Sequence, residues 1–154
     1  MLGSKKVIAA LNDVLAHTLA LESQAHLSEH YWESTRYKFS AWFDKVETKT
    51  HEELTHHILN RIRNLGGRMV YSWAWEPTYD ESIGPAMRSL LTSMQRTHDA
   101  YGRACEVVEV DRDYVTEKMI HCHLKHLEKW MTKFEARIAQ LDQIGEAMFL
   151  AEYL

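Results

Sequence analysis

Apolar residues recur every third or fourth position along four long stretches of this chain, the spacing that gathers them on one face of an α-helix. Between about 83 and 110 the stripe is Ile83, Met87, Leu90, Leu91, Met94, His98, Tyr101 and Cys105, while Arg88, Gln95, Asp99, Arg103 and Glu106 fall elsewhere. Between 113 and 144 it is Ile120, His123, Leu127, Trp130, Phe134, Leu141 and Ile144, with Lys118, Lys125, Lys129, Lys133 and Arg137 largely outside. From about 39 to 65 Phe43, Val46, Leu54, Ile58, Ile62 and Leu65 leave His51 near the middle of the stripe. The first stretch, about 5 to 34, offers Ile8, Leu11, Leu15, Thr18, Glu22 and Ala25, so its centre is polar. No strand-period alternation and no internal repeat competes, and the expected class is all-α.

The helix breakers order these stretches. Leu65-Gly66-Gly67 ends the second helix with a residue suited to a left-handed C-cap. The connection from Arg68 to about Ser82, carrying Trp73, Trp75, Pro77 and Tyr79, is too long for a tight hairpin. At roughly 3.3 Å per extended residue it can travel back along a helix, letting the third helix run parallel to the second. Gly84-Pro85 opens the third helix with proline in its first turn. The short link Asp111-Arg112-Asp113, with Asp113 as N-cap, makes the third and fourth helices antiparallel neighbours. Gly145 ends the fourth, and 146–154 remain as a short C-terminal helix or tail. The expectation is one domain over residues 1–154, a four-helix bundle with one long crossover.

Composition narrows the function. With 154 residues, 45% of them hydrophobic, a single core can fold unaided. The net charge of −4 is interspersed, which argues against nucleic acid as a partner. No apolar run reaches membrane-spanning length. Cys105 and Cys122 form neither a C-x-x-C motif nor a disulfide framework, and no signal segment opens the chain, so the expected compartment is cytoplasmic. His51, His98 and His123 sit on the buried stripes of three different helices, and imidazoles converging inside a bundle would form a metal site.

The chain resembles bacterioferritin without gaps to about residue 150. Lys6-Val7-Ile8, Leu11-Asn12, Leu15, Leu19, Gln24, Arg61-Ile62, Leu65, Gly67, Arg88-Ser89, Asp113-Tyr114-Val115, Met119, Leu124, Glu128, Gly145 and Leu150 stand where that family has the same residues. The resemblance implies a ferritin-like bundle and a homo-oligomeric cage, usually of 24 subunits, that oxidises and stores iron, with haem held between paired subunits. It also implies where a di-iron centre would lie, and those positions hold Thr18, His51, Leu54, Met94, Leu127 and Trp130, none of them a carboxylate. The family's central tyrosine falls on Ala25, and its haem-binding methionine on Glu52, with His26 and His56 on the same outer face as substitute haem ligands.

Replacement sites follow from register. His51 lies in the old ligand layer, and His98 and His123 are each one turn away from it in the same direction along the bundle, with Met94 nearby as a soft ligand. That set suits zinc or copper as well as iron. The competing reading pairs each histidine with a neighbour such as Thr18, Tyr101 or a backbone carbonyl. Glu22 and Glu47, one turn from the old centre on the first and second helices, form a second candidate metal pair. Glu53-Leu54-Thr55-His56 and Gln24-Ala25-His26 are similar to parts of the Dps branch, whose ligands lie across a subunit twofold. His57, His121 and His126 read as solvated. The expected function is a cage subunit storing iron or another transition metal without the ordinary ferroxidase centre, alone or mixed with a second ferritin-like subunit. The alternatives are a redox or metal-binding enzyme with a rebuilt histidine-rich centre and a haem-carrying or structural shell subunit.

Overall fold

A computed structural model of the protein describes residues 3–35 and 53–152, and within them every regular element is helical. Helix α1 spans Lys5–Thr35, α2 covers 53–64, α3 spans Ile83–Asp111, α4 Tyr114–Ile144 and α5 Glu146–Glu152. The first part of the second expected helix, with His51, Glu47 and Glu52, lies outside the described residues.

Local chemistry sets the ends. Ser4 Oγ accepts from the backbone N–H of Lys6 and Val7, capping α1. The αL cap expected after α2 is present: Gly66 has φ 73°, and Gly67 N–H bonds back to Ile62 O at 2.9 Å. Asp113 caps α4, its side chain accepting from Thr116 N–H, directly after Arg112 turns the chain at φ 56°. Gly145, at φ 82°, separates α4 from α5, whose Phe149 is fully buried.

Long-range bonds fix the topology. Arg103 meets Asp13 and Thr97 reaches His17 O, so α3 is antiparallel to α1. Thr55 meets Glu22 and Gly3 N–H bonds to Leu65 O, so α2 is also antiparallel to α1 and therefore parallel to α3. His57 meets His123 while Arg61 meets Asp113, which sets α4 antiparallel to α2.

The crossover, 65–82, travels in the direction of α1 along its side. Asn12 bonds to Arg68 O and Val70 N–H, Ala74 N–H to Ala16 O, and the Gln24 amide to both Thr78 N–H and Thr78 O. Trp75 lies between His17, edge-on at 5.8 Å, and the Arg96 guanidinium at 5.5 Å. This second cover explains why burial on α1 extends beyond one stripe, to Leu19 and Gln24.

Candidate functional site

Among the described residues the middle of the bundle is largely apolar. Thr18, Leu54, Met94, Leu127 and Trp130 are all buried, and the Thr18 hydroxyl is satisfied within α1 by Val14 O at 2.9 Å. Two iron ions bridged by oxygen need carboxylates, because hard cations prefer anionic oxygen donors. Among the described residues this layer supplies a hydroxyl, a thioether, an indole N–H that can only donate, and hydrocarbon, a donor set that does not fit such a centre.

About one turn away the polar content rises. His123 of α4 is 1% exposed, with Nδ1 2.7 Å from the Tyr101 hydroxyl of α3 and Nε2 3.1 Å from Nδ1 of His57 on α2. The two imidazoles stack with centroids 5.4 Å apart, and the Tyr101 ring meets His123 edge-on at the same separation. Either neutral tautomer of His123 completes this three-residue chain. Burial, reinforced by repulsion from His57 and His126, pulls the His123 pKa down to about 3. Burial likewise pushes Tyr101 well above its ordinary value, only partly offset by the Thr18 hydroxyl. Both groups are therefore neutral at physiological pH.

Both ring nitrogens of His123 thus lie within hydrogen-bond reach of a neighbour, Tyr101 on one side and His57 on the other. A metal would have to intercept lone pairs that are already directed at neighbouring donors. His57 lies at the wall of a groove of ≈ 440 Å³ formed with Tyr114, Val115, Lys118, Met119 and Cys122, so the chain leads from the interior to the surface.

His98 does not join His123. Its side chain is 32% exposed and its Nε2 stands 3.8 Å from Glu128 Oε1 on α4. The core position on that turn belongs to Thr97, fully buried, whose hydroxyl donates back to Ser93 O at 2.9 Å. A threonine satisfied by its own helix can face apolar neighbours where an imidazole would need an outside partner. Met94 is fully buried.

Glu22 is half-buried and accepts from the Thr55 hydroxyl at 3.1 Å, while Glu47 lies outside the described residues. His26 is exposed and lines a groove of ≈ 440 Å³ with Glu22, His30, Leu27, Tyr71 and Trp73. His56 is exposed on α2.

Two features escaped sequence reasoning. His57 reads as solvated from its own helix, because its partner comes from α4. Cys105, Glu109 and His121, spread over two helices, bring one donor atom each to within 4.8 Å of one another.

No curated protein matches the chain. No described helix is long and apolar enough to cross a membrane. The antiparallel pairing of α1 with α2 and of α3 with α4, the parallel α2 and α3, and the crossover along α1 make up a four-helix bundle with one long crossover. The ferritin-like domain profile matches residues 8–144, most of the chain, and on that match the protein belongs to the ferritin-like family.

Proposed function

We propose that the protein is a cage subunit that stores iron or another metal without the ordinary ferroxidase centre inside its bundle. The observation that carries this reading is the buried layer of Thr18, Leu54, Met94, Leu127 and Trp130, which offers ferrous ion no carboxylate. The hydrogen-bonded Tyr101–His123–His57 chain fills the neighbouring polar space. Exposed Tyr71, Trp73 and Tyr79 on the crossover, and Val110, Tyr114 and Val115 at the α3–α4 turn, are apolar surface of the kind subunit contacts cover. Within such a cage of 24 chains the cytoplasmic subunit takes iron as cargo, and oxidation falls to a second ferritin-like subunit or to the growing mineral.

Oxygen consumption on adding ferrous ion to the assembled protein tests this. The expected rate matches ferrous ion in protein-free buffer. A fast burst at a fixed iron-to-chain ratio, lost in His57→Ala or His123→Ala, would instead establish a rebuilt centre, with His51 and Glu47 as the residues to examine next.

A second reading is favoured by the groove beside α1, where Leu19, Leu27, Tyr71, Trp73 and Pro77 form an apolar wall beside His26 and His30. An imidazole next to an apolar wall fits haem, with His26, His56 and Glu52 as the candidate residues. A Soret band in the purified protein that His26→Ala removes supports it. No band after incubation with haemin rejects it.

A further inference from the structure

Away from the bundle interior, the seam between the end of α3 and the start of α4 gathers donors of three chemical kinds. Cys105 and Glu109 lie one turn apart on α3, and Glu117 and His121 lie one turn apart on α4, so two i,i+4 pairs face each other across an antiparallel contact. Cys105 Sγ is 3.5 Å from His121 Nε2 and donates to Glu109 Oε1 at 3.6 Å. Glu117 Oε1 lies 3.8 Å from the same Nε2.

These separations are informative. With zinc bonded at about 2.3 Å to sulfur and about 2.0–2.1 Å to nitrogen or oxygen, tetrahedral angles put the sulfur roughly 3.5 Å from each of the other two donors. The thiol therefore already stands at the edge lengths of a tetrahedral site with both the imidazole and the carboxylate. Both helices hold their donors on rigid backbone, so closing the site needs only side-chain rotation.

We propose that Cys105, Glu109 and His121 form a binding site for a divalent zinc-like cation on the α3–α4 seam, with Glu117 beside its fourth position. The ligand set argues for zinc over magnesium or calcium, since thiolate and imidazole are poor partners for hard cations. On binding, the thiol releases its proton to solvent, and the thiolate and the Glu109 carboxylate together neutralise the two charges of the ion. The site is half-exposed, with Cys105 partly buried and Glu109 and His121 exposed, so the ion reaches it without opening the bundle. It is independent of the storage reading, because Glu109 and His121 are exposed and Cys105 is only partly buried against the core.

Titration of the reduced, full-length protein with zinc and, as a spectroscopic probe, cobalt(II) tests the assignment. One cation per chain is expected, with a thiolate-to-cobalt charge-transfer band. Cys105→Ser should abolish the band, and His121→Ala should weaken zinc binding by more than roughly 100-fold, beyond the loss typical of an outer-shell partner. Cys122→Ser, whose thiol lines the His57 groove instead, should leave band and affinity unchanged. A band that survives Cys105→Ser but vanishes in Cys122→Ser overturns the proposal, as does unchanged zinc affinity in His121→Ala with native circular dichroism. Saturation by magnesium at the zinc concentration would also overturn it.

Discussion

Replacing His123 with leucine should flatten the acid side of the stability profile. In the native protein burial and the neighbouring His57 and His126 hold His123 neutral, with its pKa near 3. In the unfolded chain the same imidazole titrates near 6.5. Because the folded value lies below the unfolded one, the unfolded state binds the extra proton between these limits, and stability falls as pH drops through about 6.5 toward 3. One full proton corresponds to about 1.4 kcal/mol per pH unit, and integrated from about pH 7.5 to about pH 5 the His123 contribution to the loss is about 2 kcal/mol. The comparison with His123→Leu isolates this one imidazole, because the substitution removes its proton alone from the linkage. The assay is urea unfolding at fixed protein concentration from pH 7.5 to pH 5, since assembly makes apparent stability depend on concentration. The leucine variant starts less stable, having stranded Tyr101 and His57, yet its pH slope should be shallower by close to one proton. Equal slopes in both proteins would refute the claim that this imidazole is buried and neutral.

Tyr101→Phe should cost about 1–3 kcal/mol, the penalty for leaving a buried nitrogen of His123 without its partner, and a loss below about 0.5 kcal/mol in the same unfolding assay would contradict the 2.7 Å bond. Asp113 carries both the α4 cap and the ion pair with Arg61 at 3.0 Å; burial alone would raise its pKa, but the Thr116 hydrogen bonds and the Arg61 charge outweigh it and hold the value low. Its contribution is therefore present above the ordinary carboxylate range and lost as pH falls through the lowered value; Asp113→Ala should cost about 1–2 kcal/mol at pH 7 and nothing extra once Asp113 itself is protonated, as read from denaturation midpoints. Gln24→Ala should release the crossover, seen as faster hydrogen exchange at the Thr78 amide, and unchanged protection there would remove the clip from the account.

The architecture was legible because its punctuation is local. Gly66, Pro85, Asp113 and Gly145 each state a backbone requirement within one turn, and the observed ends of α3 and α4 fall within two residues of them. Side-chain destinations were less legible. Thr97 and His98 stand three and four residues after Met94, and four and three before Tyr101, so periodicity admits either to the core. The choice is made by hydrogen-bond supply: threonine borrows Ser93 O from its own helix, whereas His98 turns outward to Glu128. His57 shows the converse. Nothing within α2 marks it, and only α4, brought alongside, supplies the buried imidazole it meets. The Cys105 cluster was invisible for the same reason, since its members are sixteen residues apart and belong to helices whose register no single stripe defines.

The crossover's attachment to α1 bears on the order of events as the chain folds. Its clips join residues more than fifty positions apart, such as Asn12 with Val70 and Gln24 with Thr78, whereas Cys105 and His121 meet across a turn. Closing the longer loops costs more chain entropy before any contact is gained. The α3–α4 hairpin should therefore organise early and act as a template, with α1 and its strap settling last. Mutations at Asn12 or Gln24 would then speed unfolding while leaving the refolding rate nearly unchanged, and a slowed refolding limb would reverse that order.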